Sequence, residues 1–261
     1  MRYNNVMYGA DPELFLQDRS GEYKSAIGLI GGSKENPRYI DENGSAVQED
    51  NVAVEFNIPP AKTRKEFIDS IGKVLGYLHE YVGAQGFSLS VVPAAYFPPS
   101  ELMDLRALVF GCDPDFNVWT KTVNDPPEIT KEHRTLRSSG GHIHVSWDNP
   151  NQESGEKLVM AMDVFLGAAS IAYDSDTLRR KLYGKAGCFR FKPYGIEYRT
   201  LSNFWIKSPQ LVGWAFDQSQ KAVEYLNSGG KVKIDHLPLI EDCINRGNEA
   251  SLEKLQQYYP I

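Results

Sequence analysis

Residues 138–147 read SSGGHIHVSW, and two of the chain's five histidines stand there one residue apart. In an extended strand, side chains two positions apart point to the same face. His142, His144 and Ser146 therefore line one surface, while Ile143, Val145 and Trp147 pack behind it. Gly140 and Gly141 remove side chains just before the strand, which lets another backbone or a ligand approach closely. The stretch predicts a strand with an apolar back and an imidazole front. Imidazole is a common metal ligand, although two histidines on a solvated sheet face would give the same pattern.

The same parity recurs in three other stretches. In GADPELFL (9–16), Asp11 and Glu13 share a face and leave Leu14 and Leu16 to the other. Carboxylates that close repel unless a cation or an arginine lies between them; an acidic strand end facing water is the plain alternative. VQEDNVAVEFNIPPA (47–61) carries Glu49, Asp50 and Glu55. Glu55 interrupts an apolar strand, which is costly unless the carboxylate is paired, metal-bound or half exposed. In GCFRFKPYGIEYRTLSNFW (187–205), Pro193-Tyr194-Gly195 reads as a turn between two strands. One face of that hairpin is aromatic, and the other holds Arg190, Lys192, Glu197 and Arg199. Such a face is either a cross-strand salt-bridge ladder or a phosphate and metal site.

Helices lie between these strands. Thr63 and Glu66 form a capping-box pattern ahead of an apolar stripe (Phe67, Ile71, Val74, Leu75, Leu78, Val82) that runs to about Ala84, with Gly86 as the stop. A second helix is expected over roughly 154–173, and a third from Ser208-Pro209 to Asn227. Short helices are expected from about residue 236. The stretches 28–44 and 97–130 read as long loops. With no repeat, no linker and no regular βαβ rhythm, residues 1–261 read as one α+β domain.

Composition bounds the function. The chain has 261 residues, 41% of them hydrophobic, and a formal net charge of -6, so no general basic field exists to attract nucleic acid or an anionic membrane. Cys112, Cys188 and Cys243 are far apart and show no CxxC spacing, which suits a reducing compartment. No basic-then-apolar leader and no membrane-length apolar run is seen, so the expected location is the cytoplasm. Carboxylate-rich ligation with one or two nitrogens suits magnesium or manganese better than a structural zinc, and arginines beside a hard ion imply phosphate chemistry. GLIGGSKENP (28–37) has the wrong residue order for a Walker A loop and reads as a turn bordering the site.

The four stretches resemble, in the same order, motifs of the glutamine synthetase-like ligase superfamily, and within it the phage-type carboxylate-amine ligases (amidoligases, type 2). GADPELFL is similar to the G-x-E-x-E-F-F strand, VAVEFNIPPA to a strand with a metal-binding glutamate, SSGGHIHVS to G-S-G-x-H-x-H-x-S, and GIEYRTLS to an E-x-R strand. GLIGGSKENP and RKLYGKAGCFRFKPYGIEYR further resemble the phage-type subgroup. The resemblance runs from residue 9 to 202. It implies a curved, mainly antiparallel sheet with helices on its outer face, and a half-funnel in which two or three divalent ions hold ATP.

Carried over by position, Asp11, His142 and Glu197 would hold the ion nearer the phosphates. Glu13, Glu55 and Asp50 (or Glu49) would hold the ion nearer the amine and acyl groups. Arg199 would meet the carboxylate or the transferring phosphoryl group. Arg180, Arg190, Lys192 and His144 would contact phosphate, and Glu55 or a neighbouring acid would take a proton from the amine. The chain departs from the pattern in having Asp rather than Glu as its first acid and a shorter spacing between the acids of the second strand. Nothing resembles the small N-terminal domain or the tyrosine-regulated loop of the large ring-forming synthetases.

The implied reaction is ATP-dependent amide formation through an acyl phosphate, with small-molecule or peptide carboxylates and amines as substrates and magnesium or manganese as the ion. General nucleic-acid binding and membrane binding are not expected, and an oligomer is compatible with the sequence. Two other readings fit the histidine strand: a metal-dependent hydrolase using His142 and His144 with Asp11 or Glu13 to activate water, and a non-catalytic domain that binds a nucleotide or a partner.

Overall fold

The structure, a computed structural model, describes residues 2–108, 115–125 and 130–261. Six strands make the body of the main sheet: β1 (Met7–Gln17), β2 (Ala46–Asp50), β3 (Ala53–Asn57), β4 (Gly141–Ser146), β5 (Cys188–Lys192) and β6 (Gly195–Tyr198). They pair antiparallel in the spatial order β2-β3-β1-β4-β6-β5. Residues 38–39 extend one edge, and 116–117 with 122–123 extend the other. The α+β class with a mainly antiparallel sheet is borne out.

Helices cover one face because the strands alternate. Leu14, Leu16, Val54, Phe56, Ile143, Val145, Ile196 and Tyr198 all point to one main core, together with Phe67, Ile71, Val74 and Leu78 of α1 (Arg64–Gly83). That helix starts as expected: the Thr63 side chain accepts from the Glu66 backbone, and the Glu66 side chain accepts from Thr63 in return. Such a cap is worth about 1 kcal/mol. Phe67 stacks on the fully buried Trp205 at 5.9 Å between centroids.

The second helix runs as α2 (Gln152–Met162), then winds more loosely over Asp163–Ala168 as a π-helical segment and tightens over Ala169–Ala172. A short α3 (Leu178–Leu182) follows, then α4 (Pro209–Asn227), capped by Ser208 as expected. The tail forms α5 (Leu237–Arg246) and α6 (Glu249–Leu255), separated at Gly247, whose φ of 67° is the left-handed conformation glycine tolerates.

Two features go beyond the sequence reading. The stretch before residue 52 is also a strand: Asn51, at φ 56°, lets the chain reverse so that Asp50 pairs with Ala53, and β2–β3 becomes a hairpin. The predicted loops over 28–44 and 97–130 contain short strands and 3-10 turns, and a small second core of Phe15, Val52, Ala95, Phe97, Leu102 and Ala107 forms on the sheet face opposite the helices. Cys188 and Cys243 are buried free thiols, and burial pushes the Cys188 thiol up to about 12; Cys112 lies outside the described residues. No described helix is long and apolar enough to cross a membrane.

Candidate active site

The register of five strands brings the sequence-predicted residues together on the face away from the helices. Asp11 pairs with His142 across β1 and β4, His144 pairs with Glu197 across β4 and β6, and Glu197 pairs with Arg190 across β6 and β5. On the other side of β1, Glu13 pairs with Glu55 of β3. Each pairing is antiparallel and in phase, so the polar face is continuous from Asp50 to Lys192.

Asp11, His142 and Glu197 converge most closely. Their donor atoms lie within 4.8 Å of one another, a grouping that could hold a metal ion. His142 Nδ1 is 3.2 Å from Asp11 Oδ1 and 3.8 Å from Glu197 Oε1. His144 Nε2 is 3.1 Å from the same Asp11 oxygen. Although two imidazoles flank it, the buried Asp11 Oδ1 accepts no hydrogen bond. A buried acceptor facing an imidazole and a second carboxylate fits a hard divalent cation.

The electrostatics point the same way. Burial alone would raise the Asp11 carboxyl, but His144 and His142 outweigh it and hold Asp11 well below the usual range. Burial and Asp11 act to raise Glu197, yet Arg199 and the two histidines bring it down to about 2. Lys192 Nζ lies 2.8 Å from Glu197 Oε2, Arg190 3.7 Å from Oε1, and Arg199 forms a close ion pair with Oε1. Glu197 is therefore an anion held among cations.

The Glu13 side behaves oppositely. Glu13 is raised by burial and by the charge of Asp50, and Glu55 is raised well above the usual range by burial and by Asp11, Asp50 and Glu13. Like charges facing one another on a buried sheet ask for a cation between them. Asp50 lines the same cavity as Glu13, whereas Glu49 points to the opposite face and accepts from the Gly28 and Gly31 backbones at 2.8 and 2.9 Å. Of the two acids left open by the sequence, Asp50 is the one that lines the cavity. Glu49 pins the glycine-rich loop at the border of the site.

A cavity of about 230 Å³ opens beside this cluster, with Glu13, Asp50, Asp115, His142, Arg179 and Arg199 among its lining and Phe15, Val52 and Leu136 as an apolar wall. Arg180, expected on phosphate, is not there and is corrected: it is buried in the helical layer, donating to Ile244 O at 2.9 Å and to the Ser170 hydroxyl and Asp174 O at 3.2 Å. Its neighbour Arg179 turns toward the cavity instead, because successive residues on a helix point about 100° apart. Arg179 is fully buried, held by the carbonyls of Thr200 and Arg199. Gly184, at φ 69°, makes room for it, since a Cβ there would lie 2.1 Å from the guanidinium.

The glycines at the start of β4 behave as expected. A Cβ on Gly141 would meet the Ser202 carbonyl at 2.4 Å, and one on Gly140 would meet His142 Nε2 at 2.3 Å. The Gly140 amide also donates to Glu13 Oε2 at 2.7 Å. Three residues escaped the sequence reading. Asp115, in an irregular stretch, forms a close ion pair with Arg199 Nε. Tyr194, read only as a turn residue, hydrogen-bonds His144 Nδ1 at 2.6 Å. Asp163 lies fully buried behind the hairpin, accepting from Trp119 Nε1 at 2.6 Å and from the Tyr198 hydroxyl at 2.8 Å. A polar residue inside the apolar run of the second helix was the one available signal for Asp163.

Residues 134–236 match the family model described as phage phiEco32-like COOH.NH2 ligase-type 2. The resemblance to the type 2 carboxylate-amine ligases is borne out. The matched stretch contains His142, His144, Arg190, Lys192, Glu197 and Arg199, while the acids of β1–β3 precede it. Among solved structures, a bifunctional glutathione synthetase from Pasteurella multocida aligns at TM-score 0.48 and 11% identity, over 96% of this chain and 46% of that one. A structure described as a novel glutamine synthase homolog aligns at TM-score 0.43 and 11% identity, over 97% of this chain and 66% of that one. The chain thus spans about half of the first structure's length and just under two thirds of the second's. No curated protein matches the sequence.

Proposed function

We propose that the chain is an ATP- and divalent-metal-dependent carboxylate-amine ligase that forms an amide through an acyl phosphate. The observation that carries this reading is the convergence of Asp11, His142 and Glu197 within 4.8 Å, bordered by Lys192, Arg190 and Arg199. An anionic metal-binding set walled by cations suits a polyphosphate that brings its own charge and its own metal.

In this mechanism a substrate carboxylate oxygen attacks the γ-phosphorus and ADP departs. The amine nitrogen then attacks the acyl carbon, and inorganic phosphate leaves. Asp11, His142 and Glu197 would hold one magnesium or manganese ion, and Glu13, Asp50 and Glu55 a second. The ions would neutralise charge on the transferring phosphoryl group.

The chain's own residues do the rest. Arg190, Lys192 and Arg199 spread positive charge where three anionic oxygens pass, and Arg199 is kept in place by Glu197 and Asp115. Arg179, at the cavity wall, faces the acyl substrate. The incoming ammonium must lose a proton before it can attack. Glu55, buried and paired with Glu13 across β1 and β3, is the carboxylate we assign to accept it.

Calorimetric titration of ATP with magnesium, with manganese and with chelator tests the first step. Metal-dependent binding weakened at least about tenfold in Glu197→Gln supports the site. ATP binding that is equal with chelator and with metal would refute it. ADP release screened over carboxylic acids and amines then identifies the substrates.

A further inference from the structure

His144 is the one predicted site residue whose role the geometry has not yet explained, and the answer lies at the hairpin tip. Its partner across β1 is Gly9, which has no side chain to crowd the ring. The imidazole therefore leans along β1 until Nε2 lies 3.1 Å from Asp11 Oδ1. On the opposite side, Tyr194 caps Nδ1 with a 2.6 Å hydrogen bond and lays its ring nearly parallel to the imidazole, at 14° and 6.0 Å between centroids.

The tip that carries Tyr194 is anchored. The Trp147 amide donates to the Tyr194 carbonyl, and a Cβ on Gly195 would lie 2.0 Å from the Val145 carbonyl, so the turn sits directly against the end of β4. Tyr194 is thus brought back over the strand that carries His144. Nε2 itself makes no hydrogen bond, although it is buried. It is a buried ring nitrogen beside the Asp11 carboxylate, with its opposite nitrogen already occupied.

We propose that Tyr194 is a positioning residue that sets the tilt and tautomer of His144, so that an Nε2–H, not a bare nitrogen, faces Asp11 and any anion bound beside it. A neutral imidazole carries its proton on one nitrogen only, and the hydrogen bond made by the other decides which. A phenol donates more readily than it accepts, so its hydrogen bond favours a bare Nδ1 and leaves the proton on Nε2. The Asp11 carboxylate favours the same tautomer while it is anionic, because it would repel a lone pair on Nε2. Once a cation takes up the Asp11 charge, that preference fades and the phenol alone maintains the donor. The consequence for phosphate rests on the ligase reading above; the tautomer does not.

The test uses the whole chain with 15N-labelled imidazoles and no metal, at alkaline pH where neutral imidazole prevails. In Asp11→Asn, which removes the carboxylate's influence, His144 should remain in the Nε2–H form because the phenol is still present. Adding Tyr194→Phe should release it to a mixture of tautomers. Tyr194 is partly exposed at a turn and phenylalanine keeps the stacked ring, so the fold is retained. The proposal is overturned if Asp11→Asn alone loses the Nε2–H form, or if the double variant keeps it pure. A second arm titrates magnesium-ATP into Tyr194→Phe, with a loss of about tenfold expected. Unchanged affinity there, with the tautomer result intact, would overturn the phosphate role of His144. Failure of the wild type to bind metal-ATP at all would instead sink the ligase reading.

Discussion

Replacing Asp163 by asparagine should change how the protein's stability depends on pH. Asp163 begins the π-helical segment, is fully buried, and receives the Trp119 indole and the Tyr198 hydroxyl. Burial is the largest influence on its carboxyl and raises it from 3.8 to about 7, against the opposing effect of those donors. The folded state therefore holds this proton more tightly than the unfolded chain does. Stability from the protonated group is complete below about pH 4 and is lost as the pH rises toward 7. Roughly three pH units at about 1.4 kcal/mol each amount to about 4 kcal/mol, a large share of the 5–15 kcal/mol typical of a folded domain.

In Asp163→Asn, Oδ1 can still accept from Trp119, and the amide can donate to the Tyr198 hydroxyl, so the network is kept but no longer titrates. The assay is urea unfolding of both proteins, followed by circular dichroism at a series of pH values. The stability of the wild type relative to the variant should fall by about 4 kcal/mol between about pH 4 and pH 8. Other titrating groups are common to both proteins and cancel in the difference. Parallel curves across that range would refute the reasoning. The result bears on function, since Tyr198 adjoins both Glu197 and Arg199.

Three further outcomes are expected. Gly140→Ala places a methyl where His142 Nε2 now lies, at 2.3 Å, so manganese affinity read by electron paramagnetic resonance should drop about tenfold or more without any ligand being replaced. Arg180→Met strands Asp174 and should cost roughly 3–5 kcal/mol in unfolding, while the folded variant binds metal-ATP like the wild type; weakened nucleotide binding would return Arg180 to the phosphate. Glu49→Ala should accelerate amide exchange at Gly28 and Gly31 and leave manganese affinity unchanged, whereas Asp50→Asn should weaken it.

What the sequence by itself determined is the content of each strand's two faces. Alternation is a property of extended backbone, so Asp11 with Glu13, His142 with His144, and Glu197 with Arg199 could be assigned to a common side before any pairing was known. The capping of α1 and α4 was legible for the same reason: a cap is satisfied by residues three or four positions away.

What only the tertiary structure decided depends on register and on packing between distant segments. Asp11 stands opposite His142, and not opposite Gly140 or His144, because of a register fixed across more than a hundred residues, and His144 then reaches the same carboxylate from two positions along β4. Whether Glu49 or Asp50 faces the cavity follows from the hairpin that Asn51 permits. Arg179 and Arg180 are adjacent and chemically identical, and the docking of α3 alone sends one to the cavity and the other to Asp174. Asp115 and Tyr194 sit in a loop and a turn, where no periodicity marks a face. Their roles arise from where the rest of the chain holds them, which local backbone geometry does not encode.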